Sequence, residues 1–167
     1  MHPHDLVGYV LSQFAGAIVG TSLVAVAWGS DATAVNLGTT APGAGTGPAA
    51  AVLIETAMTA TLIGTILLMT SSALTARWTP LVLWPLIATL VWQGAPYTGT
   101  SLNPARSLGP ALLAPHPTPY WVYVLGPALG GALAVTLLRK THVVTAKLFH
   151  DPTYPSTLAS SLPTTPR

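Results

Sequence analysis

Along the 167 residues, apolar positions come in long blocks and follow neither a helical nor a strand period. A helix needs roughly 17–25 such residues to cross a hydrocarbon core. Four blocks approach or reach that length: residues 6–28, 49–70, 80–95 and 120–138. The third is the shortest, bounded by Pro80 and Pro96. Residues 29–48, rich in Gly, Thr and Ala, read as an aqueous loop. An apolar stretch at residues 103–113 is too short to span and predicts a re-entrant half-helix. Residues 149–167, with four prolines and many hydroxyls, predict a disordered tail. The pattern therefore predicts an all-α chain: a transmembrane domain over residues 1–148, with four spans and one half-helix, and then the tail.

Composition supplies the solvent for those blocks. Half of the residues are hydrophobic, 6% are charged and the mean hydropathy is +0.58. Soluble domains carry about a quarter charged residues, so the expected surroundings are a lipid bilayer. Without cysteine there is no disulfide framework, thiolate nucleophile or cysteine metal site. The five histidines, His2, His4, His116, His142 and His150, lack the spacing of a metal site. No paired acid and base appear, so no enzyme is expected, and no cofactor. Six basic residues are too few and scattered to bind nucleic acid.

Charge also orients the spans. Four crossings put both ends and the second loop on one side, with Arg77, Arg139, Lys140, Lys147 and Arg167. By the positive-inside rule that side is cytoplasmic, which predicts a multi-pass cell-membrane protein with both termini inside. Arg106 alone falls in the outer segment. Two spans also echo each other: YVLSQFAGAIVG from Tyr9 aligns without gaps on YVLGPALGGALA from Tyr123, and their crossings run in opposite directions. Inverted repeats of this kind place functional sites at midplane between discontinuous helices. Gly16 with Gly20, and Gly126 with Gly130, are spaced for close helix contact.

The chemistry concentrates in SLNPARSLGPALL, residues 101–113. Asn103 followed by Pro104 is a helix start, an N-cap and then a residue whose missing N–H costs nothing there. The helix that follows is apolar apart from Arg106 and Ser107, so its positive N-terminal end sits within the membrane. The Asn103 amide offers N–H donors to a water or hydroxyl, and Arg106 adds a full charge and up to five donors. Such a site donates to neutral solutes and repels cations and hydronium. Glu55, a carboxylate inside a span, is costly and needs a role.

NPARSLGPA closely resembles the second signature of the major intrinsic proteins, the aquaporins and glycerol facilitators. PHDLVGYVLSQFAGAIVG resembles the family's third span, AVLIETAMTATLIGTILL its fourth and YWVYVLGPALGGALA its sixth, with YTGTSLNPARS matching the approach to the half-helix. The resemblance implies an aquaporin-like helical bundle, here four transmembrane helices plus one re-entrant half-helix. It implies a passive channel for water and small neutral solutes, including glycerol, and a homotetramer when complete. It further implies that Glu55 accepts hydrogen bonds from the half-helix loop, with Gln13 serving similarly. Asn103, Pro104 and Ala105 form the motif, and Arg106, Thr100 and Val91 correspond to three of the four positions of the narrowest point. An aliphatic Val91 widens that point, whereas Ser107 and Ala111 are aquaporin-like. The mixture is similar to nodulin-like intrinsic proteins and their bacterial relatives.

The family has a second half-helix. Asn103 lies twenty residues before Tyr123, so the repeat puts its counterpart about twenty before Tyr9, ahead of Met1. The resemblance thus implies that the first two spans and first motif lie outside this chain. The alternative expectation is a non-conducting fragment or structural membrane partner.

Overall fold

The computed structural model describes residues 3–140. The expected tail, with His150 and Arg167, falls outside the described residues, as do His2, His142 and Lys147. Every regular element within them is helical: α1 (Pro3–Ala34), a 3₁₀ turn (Asn36–Gly38), α2 (Pro48–Thr70), the short α3 (Ala73–Ala76), α4 (Thr79–Thr98), α5 (Pro104–Leu113) and α6 (Tyr120–Lys140).

Local chemistry explains the ends. The first apolar block breaks at Gly29, whose φ of +49° leaves helical space, after which the chain resumes a helix to Ala34. The loop expected from residue 29 therefore begins later. Pro48 opens α2 at a position where its missing N–H is harmless. Ser72 caps α3 by accepting from the Leu74 N–H at 3.2 Å. α4 runs through Pro85 and Pro96 and ends at Gly99, in the left-handed conformation typical of a helix C-terminus, with its N–H on the Ala95 carbonyl. That extends the third block beyond its expected end at residue 95.

Three described helices, α1, α2 and α6, are long and apolar enough to cross a membrane. α4 has the length, 20 residues, and carries Pro80, Pro85, Gln93 and Pro96 among its apolar residues. Three of the four expected spans thus stand out by both length and apolarity, and α4 meets the length of a crossing.

α2 is the hub, packing most extensively on α6 and next on α4. α5 lies mainly on α1 and more lightly on α6. The helices thus follow one another through space as α4, α2, α6, α5, α1. The small core is Ala51, Val52, Val122 and Tyr123, where α2 meets α6. Glycine sets that approach. A Cβ at Gly126 would stand 2.6 Å from the Glu55 Cβ, and one at Gly130 2.5 Å from the Thr56 carbonyl oxygen. The Thr56 hydroxyl donates across the same seam to the Gly126 carbonyl, at 3.1 Å.

The other glycine pair behaves differently. A Cβ on Gly16 or Gly20 would meet nothing within 4 Å, so among the described residues neither makes the close contact expected of it. α5 meets α1 one position along, through Gly109 against the Ala17 carbonyl and the Thr21 hydroxyl, leaving Gly16 over open space. Most of α1 is likewise uncovered, with Leu6, Val7, Leu11, Val19, Leu23 and Val26 all exposed. In water that surface would be unfavourable at roughly 25 cal/mol per Å²; lipid or further protein removes the penalty.

Gly130→Val should overfill the α2–α6 seam and cost about 1–3 kcal/mol. Thermal unfolding in detergent should therefore fall for Gly130→Val and hold steady for Gly20→Ala. Equal melting of the two variants would contradict the packing described.

Candidate functional site

The turn from α4 into α5 has unusual backbone geometry. Thr100 and Leu102 are both left-handed, with φ of +49° and +58°. For non-glycine residues this costs about 1–2 kcal/mol each. The alternation turns two successive backbone N–H groups, those of Ser101 and Leu102, toward one point. Such a concavity binds anions, and the Glu55 carboxylate of α2 fills it.

Glu55 is completely buried. Its Oε1 accepts from the Ser101 N–H at 2.8 Å and the Thr98 hydroxyl at 2.7 Å, and its Oε2 from the Leu102 N–H at 2.9 Å. Hydrogen bonds to a charged group contribute about 1.5–3 kcal/mol each. Three of them outweigh the strain of two left-handed residues. The Thr98 hydroxyl also accepts from the Thr100 N–H at 3.2 Å, and the Thr98 carbonyl receives the buried Tyr123 hydroxyl at 2.9 Å. α2, α4 and α6 thus converge on one loop.

A second network holds the half-helix from its other side. The Thr40 hydroxyl donates to Ser107 Oγ at 2.7 Å, and the Ser107 and Ser101 hydroxyls lie 2.6 Å apart. Ser101 Oγ in turn donates to the Asn103 carbonyl at 3.0 Å. All three hydroxyl residues are buried. If Ser107 donates to Ser101, each hydroxyl gives one bond and the chain ends on a carbonyl. The network therefore has no unsatisfied member. Tyr120 adds a bond from its hydroxyl to the Pro104 carbonyl, at 3.0 Å.

At the helix start, Asn103 Oδ1 accepts from the Ala105 N–H at 2.9 Å, the geometry of a side-chain cap. Its Nδ2 finds no acceptor among the described residues, so both of its N–H donors remain unused there. Arg106 reaches the Gly38 carbonyl with Nη1 at 2.8 Å. Asn103, Ala105 and Arg106 open onto one cavity of about 480 Å³, whose opposite lining is Ser12, Gln13, Gly16 and Ala17 of α1. Asn103 also borders a second, mostly apolar cavity of about 640 Å³ reached by Pro104, Thr59 and Ile87.

Not every residue singled out from the sequence meets there. Gln13 lines the first cavity and does not bond to the half-helix loop among the described residues. Thr100 is 4% exposed, its hydroxyl directed to the α4 backbone, 3.5 Å from the Leu90 carbonyl. It borders neither cavity. Val91 is 44% exposed on α4 and borders neither cavity. The structure therefore groups Asn103, Ala105 and Arg106, with Gln13 opposite, and leaves Val91 and Thr100 apart. Sequence reasoning overlooked Ser101, Thr40, Thr98 and Gly38. Ser101 and Ser107 carried a signal as two hydroxyls in an apolar motif; a loop threonine and a carbonyl carried none.

A bundle of apolar helices holding a polar, donor-rich half-helix defines a helical membrane protein whose site lies among its helices. The major intrinsic protein family model matches residues 2–138. The chain belongs to that family, whose members are channels, not enzymes. It is 34% identical over 128 residues to aquaporin TIP4-4 of Zea mays, an alignment covering 75% of this chain and 50% of that protein. It is 37% identical over 133 residues to the probable aquaporin TIP4-2 of Oryza sativa subsp. japonica, covering 76% and 49%. Aquaporin-1 of Rhizophagus irregularis shares 32% over 127 residues, covering 75% and 45%. The chain spans about half the length of the curated relatives it matches.

Glu55→Gln would replace an acceptor with an NH₂ facing a loop N–H. A buried unsatisfied donor costs about 1–3 kcal/mol, so unfolding in detergent should move down correspondingly. Glu55→Gln melting with the parent would remove this carboxylate as the anchor of the loop.

Proposed function

We propose that the chain contributes one half of the constriction of a passive channel for water and small neutral solutes. The observation that carries this reading is a single cavity holding the free Asn103 Nδ2 donors, the Arg106 guanidinium and the positive end of α5. Donors arranged this way attract the oxygen of a water or a polyol and oppose cations and hydronium. No cofactor or covalent step is needed. Glycerol enters the proposed solute range through the family resemblance, which assigns the aliphatic Val91 to the narrowest point.

In the same reading Arg106 sets the cut-off, Asn103 with Pro104 and Ala105 orients the file of solute, and Glu55 keeps that start in place. Gln13 supplies a polar wall opposite. Val91 and Thr100 stay in the proposal as neighbours of a narrower state, which needs the Thr100 side chain or the α4 face to turn. The proposed setting is the cell membrane, as a homotetramer, with both termini and the 149–167 tail cytoplasmic by the distribution of Arg and Lys. The domain reading, residues 1–148 as an aquaporin-like unit, belongs to the same proposal.

A second reading is favoured by α1, whose open apolar face lacks a partner within the described residues. By itself the chain would then be a non-conducting membrane component. Stopped-flow light scattering on proteoliposomes separates the two. The channel reading expects osmotic shrinkage faster than in empty vesicles, and a rate equal to theirs overturns it for this chain.

Arg106→Ala should raise glycerol permeation severalfold while water flow persists, because a charge and the widest side chain at the mouth are both lost. Unchanged glycerol and ion exclusion in that variant would take Arg106 out of the constriction.

A further inference from the structure

Arg106 makes one hydrogen bond to the described protein, to the Gly38 carbonyl, so whatever fixes that carbonyl fixes the guanidinium. Gly38 ends a turn in which three successive residues are left-handed: Asn36 at +50°, Leu37 at +52° and Gly38 at +67°. Two of the three carry side chains, for which this conformation is unfavourable. The turn closes on itself through the Gly38 N–H to the Val35 carbonyl at 3.0 Å and the Thr39 N–H and hydroxyl to the Asn36 carbonyl at 3.0 and 2.6 Å. These local bonds would persist if the turn moved as a body.

Beyond the Arg106 contact and the Thr40–Ser107 bond two residues further on, the Asn36 side chain ties it to the rest of the protein. Its Oδ1 accepts from the His116 N–H at 3.2 Å, and its Nδ2 donates to the His116 carbonyl at 3.4 Å. One amide thus pairs with both faces of a single backbone residue in the segment between α5 and α6. Leu37, buried beside it, provides an apolar seat. We propose that Asn36 is a positioning residue for Arg106: it latches the turn to the segment ahead of α6, so that the Gly38 carbonyl holds the guanidinium across the mouth of the Asn103 cavity. With the latch open, the carbonyl leaves, Arg106 loses its acceptor, and the mouth widens.

The conduction arm of the test rests on the channel reading; the chemical arm does not. Asn36→Gly keeps the left-handed turn accessible while deleting the amide, and Asn36→Asp keeps the acceptor for the His116 N–H but not the donor. Phenylglyoxal adducts, followed by peptide mass spectrometry on the purified chain, report how freely each arginine is reached. Arg106 should react slowest in the parent, faster in Asn36→Asp and severalfold faster in Asn36→Gly, with Arg77 constant. An unaltered Arg106 rate overturns the latch, and so does an equal rise at Arg106 and Arg77, which would make Asn36 a folding residue. In proteoliposomes the glycerol-to-water permeability ratio should rise in Asn36→Gly with water flow retained. A parent chain that passes no water overturns the channel reading alone, and the Arg106 rates still judge the latch.

Discussion

The buried carboxylate of Glu55 is the constraint on which the remaining geometry hangs. A half-helix in a membrane must begin in the middle of hydrocarbon, where unpaired backbone N–H groups cost several kcal/mol each. Placing an acid on α2 answers two of those groups directly, and it does so only because Thr100 and Leu102 accept left-handed backbone. The demand runs outward from there. Glu55 must sit against α6, so Gly126 and Gly130 have no side chain; Thr98 must hand over its hydroxyl, so α4 must end where it does at Gly99. Tyr123 then closes the knot by capping the Thr98 carbonyl.

Around this anchor the polar groups divide into those used up by the protein and those left over. The hydroxyls of Thr40, Ser101 and Ser107 satisfy one another and the Asn103 carbonyl, which makes the loop stiff without making it reactive. Asn103 spends its oxygen on the Ala105 N–H and retains its nitrogen. Arg106 spends one donor on Gly38 and retains others. Donors therefore outnumber acceptors on the cavity side. That imbalance, more than any single side chain, is what the proposed preference for neutral oxygen-bearing solutes rests on.

The two repeat-related helices show how one sequence pattern takes different roles. Tyr9 and Tyr123 occupy equivalent positions, yet the first is exposed and the second fully buried. Gly16 faces open space where Gly130 lies against the α2 backbone. Nothing in YVLSQFAGAIVG or YVLGPALGGALA distinguishes these fates, because a helix pattern records which face is apolar or small and not what arrives to cover it.

By itself the sequence determined the class of environment and the local starts and stops. Uninterrupted apolar blocks demand lipid, Asn-Pro demands a helix start, and an acid within an apolar span demands partners; each follows from the cost of exposing or burying a group. The motif residues were legible for that reason, and the family with them. Tertiary structure alone decided which donors meet Glu55, that Thr100 turns into α4, that Val91 stands apart from the Arg106 cavity, and that a loop carbonyl at Gly38 and an amide at Asn36 bear on the arginine. Those outcomes depend on backbone angles and on contacts between segments distant in the chain, up to 80 residues for Asn36 and His116. A linear pattern carries the energetic need of each residue but not the partner that meets it.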